Sequence, residues 1–112
     1  MSPEGERRPR PSQRPRYRYV LFQVESPLPL GREALIQALR RAAGPQGAPW
    51  LTRYESGRGI LRTLRGEETR AIALLGEGLA ATGIRARTLS TSGTIAALER
   101  RHGRVGSSRR RD

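Results

Sequence analysis

The apolar period of this chain switches from strand-like to helix-like and back between Tyr17 and Arg101, and that alternation restricts the fold more than any single residue does. Tyr17 to Glu25 is rich in aromatic and β-branched residues, with Val20, Phe22 and Val24 on one side and Tyr19, Leu21 and Gln23 on the other, the pattern of a central strand. Pro27 and Pro29 stop it, since neither can donate to a ladder. Gly31 to Ala43 then reads as a helix: Leu35, Ala38, Leu39 and Ala42 form one stripe, Arg32, Arg40 and Arg41 lie off it, and Gly44 ends it. Trp50 to Glu55 and Gly59 to Arg65 are two short strands joined by Ser56-Gly57-Arg58, which suits a hairpin. Gly66-Glu67-Glu68 opens a second helix with acid at its positive end, running to Thr82 and closed by Gly83. Inside it, Gly76 follows Ile72 by one turn beside Leu75 and Leu79, where a missing side chain would permit close approach to the sheet. Ile84 to Thr91 reads as a fourth strand, and Ile95 to Arg101 as a short third helix with Ser92 or Thr94 as its N-cap.

The resulting order, β-α-β-β-α-β with a trailing helix, predicts an α+β protein: a ferredoxin-like or RNP-like sandwich with a four-stranded antiparallel sheet and an extra C-terminal helix. A chain of 112 residues supports one such domain, placed at 16–102. The flanking segments 1–15 and 103–112 are basic tails, too polar and too rich in Pro, Gly, Ser and Arg to repay the entropy of ordering. If the helices cover the Val20 face, Arg53, Arg62, Arg85 and Arg87 share the opposite face with Tyr19 and Leu21 and form a basic platform. A one-residue slip in register would scatter that set.

Charge narrows the partner. The net charge is +12, with five Arg against two Glu in residues 1–16, four Arg against one Asp in 103–112, and thirteen Arg against seven Glu between them. A body as basic as its tails points to an extended polyanion, because each neutralised phosphate releases condensed counterions. All 22 basic residues are Arg; a GC-rich coding sequence accounts for that choice, yet the planar fork still suits phosphates and bases. Cys and Asn are absent, the only Asp is residue 112 and the only His is residue 102. The folded segment therefore lacks the ingredients of Ser-His-Asp catalysis, an Asp-rich magnesium site or a His/Cys zinc site. No apolar run approaches the roughly 20 residues of a membrane span and the N-terminus has no apolar signal core, so a cytoplasmic protein without a membrane partner is expected. RNA-recognition motifs stack bases on aromatics of their central strands, and Gly59 to Arg65 contains none. Recognition by shape and phosphate contacts is the expectation.

Three segments carry a more specific signal. Arg16-Tyr-Arg-Tyr-Val20, Gly59-Ile-Leu-Arg62 and the turn Ser92-Gly-Thr-Ile95 with its adjoining basic helix occur in an order and spacing that resemble protein component 2 of archaeal ribonuclease P, over about three-quarters of the chain. Gly44-Pro-Gln-Gly47 departs from the family, which often has an aromatic and an acidic residue between those glycines. The resemblance implies a subunit of the ribonucleoprotein that removes the 5′ leader from precursor tRNA, with Mg2+ held by the RNA subunit and hydrolysis performed there. It implies no cofactor and no catalytic residue in this chain. The expected RNA contacts, from charge and motifs together, are Arg16, Arg18, Arg53, Arg62, Arg65, Arg85, Arg87, Ser92, Thr94, Arg100 and Arg101. The implied partners are ribonuclease P RNA, precursor tRNA in the assembled enzyme, and protein component 3 in a heterotetramer with two copies of each, its contact expected around Leu30, Trp50 and Tyr54. A general structured-RNA-binding or ribosome-associated protein of the same fold is the other reading compatible with this charge.

Overall fold

In the computed structural model, which describes residues 16–25 and 29–106, the period-two segment forms β1 (Tyr17–Val24). It is followed by α1 (Arg32–Ala43), β2 (Trp50–Glu55), β3 (Arg58–Leu64), α2 (Glu68–Ala73), β4 (Ala86–Ser92) and α3 (Ile95–His102). A short 3-10 turn, Gly44–Gln46, closes α1, and a π-helical stretch, Leu74–Gly78, prolongs α2. The strands pair antiparallel in the order β2-β3-β1-β4. Over the described residues the protein is thus α+β, with an open four-stranded antiparallel sheet and three α-helices, an arrangement compatible with a ferredoxin-like fold.

Local chemistry accounts for most boundaries. Glu33 in the first turn of α1 and Arg40 and Arg41 in the last complement the helix dipole, and Gly44 ends it with φ 68° and an N–H bonded to the Arg40 carbonyl. The hairpin between β2 and β3 is tighter than its sequence suggests. Ser56 and Gly57 alone make the turn, with φ 54° and 83°, so Glu55 pairs directly with Arg58 and β3 begins one residue early.

The second helix is not the continuous Gly66–Thr82 helix that the sequence predicts. Two glycines within three residues weaken the α-helical ladder, and the chain widens there into the π turn. The wide turn keeps Leu75 and Leu79 fully buried but changes which glycine approaches a neighbour. Gly76 faces open space rather than the sheet. It is Gly78 that lies close, since a Cβ there would stand 2.9 Å from Leu74 Cδ1 and 3.3 Å from Ala42 Cβ of α1.

Two cores, not one, stabilise the sheet. Val20, Phe22, Val24, Leu51, Tyr54 and Leu61 face α1 and the α2 segment, where Leu35, Leu39, Leu75 and Leu79 meet them. On the other face Leu21 and Ile60 are covered by Leu98 of α3 and by Val105, with Tyr19, Leu89 and Ile95 packed alongside. The expectation that helices cover a single face is corrected: α3 folds back across the second one. Fully burying a leucine such as Leu98 contributes roughly 1.5–3 kcal/mol, which is why one short helix suffices to close that face. The folded region also continues beyond 103. Val105 is only 3% exposed and its N–H donates to Glu99 Oε2 at 3.2 Å, so the sequence-based start of the C-terminal tail falls too early. Residues 1–15 and 107–112, the remainder of the expected tails, lie outside the described residues. Among the described residues no helix is long and apolar enough to cross a membrane.

Candidate nucleic-acid interface

The sheet register brings together residues that are far apart in sequence. Arg62 of β3 lies opposite Tyr19 of β1 on one side and Trp50 of β2 on the other, so all three share the face away from α1. Tyr19 packs into the second core, and the ring that reaches Arg62 is Tyr17, two residues earlier on the same face. The guanidinium carbon stands 4.4 Å from the Tyr17 ring centroid and 5.5 Å from that of Trp50, both within cation–π range. Trp50 is 64% exposed and Tyr17 41%, with Leu64 also open to solvent beside them. Among the described residues no carboxylate forms an ion pair with Arg62. A cleft of about 260 Å³ adjoins the stack, its lining including Tyr17, Gln46, Trp50, Arg62, Glu67 and Arg70.

The neighbouring arginines fall into two groups. Arg16 and Arg65 are exposed at the same end of the sheet, joined by the Arg65 N–H that donates to the Arg16 carbonyl at 2.8 Å. Arg53 and Arg87 lie on the Tyr19 and Leu21 face, as the register of Ile60 with Arg53 and of Gln23 with Arg87 requires. They do not form the open platform expected from the sequence, because α3 crosses that face and carboxylates engage them. Arg53 meets Glu99 Oε2 at 3.5 Å, and Arg87 Nε meets Glu25 Oε2 at 2.6 Å. Such partly exposed pairs contribute about 0–1 kcal/mol, so a phosphate could exchange for the carboxylate. Arg85 is exposed just before β4, and Arg100 and Arg101 are exposed at the end of α3, where Arg101 donates to Ser90 Oγ.

Arg18 belongs to the opposite side of the sheet. It pairs in register with Thr63, and its Nε lies 3.0 Å from Glu68 Oε2 without the alignment of a hydrogen bond. The Glu68 carboxyl is held below its ordinary pKa by its own backbone N–H first, then by the Gly66 N–H at 2.7 Å and by the charges of Arg18 and Arg65.

Ser92 and Thr94 are occupied by the backbone. Ser92 Oγ accepts the Thr94 N–H at 3.3 Å, and Thr94 Oγ1 accepts the Ala97 N–H at 3.1 Å as the N-cap of α3. The Ser-Gly-Thr-Ile turn therefore works first as a helix start. The expected partner surface of Leu30, Trp50 and Tyr54 is not one surface either. Tyr54 is buried on the helix side with its hydroxyl donating to the Leu30 carbonyl at 2.6 Å, and burial pushes the phenol pKa above 10.0, whereas Trp50 stands exposed on the opposite face.

The aromatic bracket is not visible in the sequence, because β3 itself carries no aromatic residue. The rings come from the strands on either side of β3, and only the register shows that they meet Arg62. Among the described residues no three His, Cys, Asp or Glu side chains gather as a metal site would require. Comparison of the chain with protein-family profiles and with curated proteins finds no match.

Proposed function

We propose that this protein is an RNA-binding subunit of ribonuclease P, supporting RNA-catalysed removal of the 5′ leader from precursor tRNA. The observation that carries the reading is Arg62. It sits in the Gly59 to Arg62 segment of the family resemblance, makes no ion pair among the described residues, and is held between two rings beside the exposed Arg16 and Arg65. A guanidinium fixed in this way meets a phosphate with less rotamer entropy to lose than a free one. The β-α-β-β-α-β order of a ferredoxin-like domain, with α3 appended, belongs to the same reading.

In this role the chain performs no bond cleavage. Its arginines neutralise phosphates that would otherwise repel one another in the folded RNA, release counterions, and so lower the concentration of Mg2+ the RNA needs. Protein component 3 is the proposed protein partner, in an assembly with two copies of each.

Reconstitution with the catalytic RNA and partner proteins tests this. Wild-type protein should lower the Mg2+ requirement for precursor-tRNA cleavage, and Arg62→Gln should raise it again while reducing the salt slope of RNA binding by about one. The protein freed of RNA should cleave nothing. Association with ribosomal RNA and no stimulation of cleavage would replace this reading with that of a general structured-RNA-binding protein.

A further inference from the structure

We infer that the Tyr17, Arg62 and Trp50 corner binds one unpaired nucleobase, stacked on the indole, with a phosphate of the same strand on Arg62. The inference rests on the RNA-binding reading and goes beyond it by naming the structural class of RNA bound. Helix α3 closes the second face over Leu21 and Ile60 but leaves this corner open, so the only tryptophan of the chain stays exposed. Exposed aromatic rings flanking an arginine make a platform that is rigid before the ligand arrives.

The adjoining cleft of about 260 Å³ has ring and aliphatic walls from Tyr17, Trp50 and Leu64, and the Gln46 amide among its lining supplies both donor and acceptor for a base edge. Charge selects the occupant. Among the described residues the acidic groups at this end are Glu67, which itself lines the cleft, and Glu68, and each already has a guanidinium, Arg70 at 3.3 Å and Arg18 at 3.0 Å. Arg16, Arg62 and Arg65 make no ion pair among the described residues, which favours an anionic polymer. A duplex cannot use the rings, since its base faces are covered by stacking and only edges, sugars and phosphates are reachable. The ligand is therefore a nucleotide outside a helix, in a bulge, a loop or a single-stranded end.

Because Trp50 is the sole tryptophan, its emission reports the site directly. The full chain is titrated with an RNA hairpin closed by a polyethylene-glycol linker in place of a nucleotide loop and bearing a one-nucleotide bulge, with the same hairpin lacking the bulge, and with an abasic residue in the bulge. Indole emission should change on saturation only with the intact bulge. Trp50→Ala should weaken bulged-hairpin binding about 5- to 100-fold and the fully paired hairpin far less, since only the restraint on Arg62 is lost there, with the salt slope unchanged. Trp50→Phe should retain most of the affinity, whereas Arg62→Gln should weaken both hairpins and lower the slope by about one. An equal emission change with the paired hairpin would overturn the inference, as would a Trp50→Ala effect that is the same for all three RNAs or absent. Loss of partner-protein binding alone in Trp50→Ala would make the corner a protein contact. Bulge-selective binding without stimulated precursor-tRNA cleavage would retain the stacking site and remove the ribonuclease P reading; the opposite result would do the reverse.

Discussion

Gly59 and Arg62 are neighbours in one strand, yet they answer to different demands. Gly59 lies opposite Phe22, and a Cβ there would stand 2.6 Å from Phe22 Cζ and 2.9 Å from the Arg53 carbonyl oxygen. Both obstacles are fixed, one a fully buried ring and the other backbone, so Gly59→Ala should destabilise the fold by about 1–3 kcal/mol, measured by urea unfolding. The glycine of the Gly-Ile-Leu-Arg segment thus serves packing, and the arginine is left for a ligand. Glu68 makes a pH-dependent prediction. Its folded-state pKa lies below the ordinary 4.5, so the stability it contributes is present above that value and is lost as pH falls through the folded-state value. Glu68→Gln should therefore melt lower than wild type near neutral pH. The two melting curves should converge in acid, and a constant offset down to the lowest pH would assign the difference to packing instead.

At the scale of elements, α3 decides what the open face of the sheet becomes. Its cap is Thr94, and Thr94→Ala should cost about 1 kcal/mol, with accompanying solvent exposure at Leu98 detectable by NMR. Because Glu99 holds Arg53 and the His102 carbonyl accepts from Arg58 at 2.8 Å, fraying of α3 also releases arginines that the closed face restrains. The existence of α3 was legible in the sequence, with its cap narrowed to Ser92 or Thr94, as were β2 in full and α1 to within a residue, since these depend on local periodicity and punctuation. Its docking site was not. The helix offers one fully buried leucine, Leu98, and the surface it covers is completed by Val105 from a segment whose composition reads as tail. The candidate site divides the same way: the strand period puts Arg62 on the face opposite Val20, but its two rings depend on cross-strand register, which no single segment encodes. The π turn escaped for a related reason, since Leu75 and Leu79 fit the helical stripe whether or not the turn between them widens.

For the whole molecule, charge and stability should separate on truncation. Removing residues 107–112 takes away three Arg and one Asp and should flatten the salt dependence of RNA binding with little effect on the thermal transition. Removing 104–112 also strips Val105 from the second core, and the transition should then fall. Equal melting of the two truncations would show that Val105 contributes little. The two cores have another result, which belongs to β1. Val20, Leu21 and Phe22 are consecutive, fully buried, and paired on both sides by β3 and β4. Their amides can meet heavy water only when the entire domain opens, so deuterium should enter there last. A ligand that binds only the folded chain slows such an opening by a factor set by its concentration over its dissociation constant. These three protons, buried away from the Trp50 corner, can therefore record how tightly an RNA is held there with no label on the RNA.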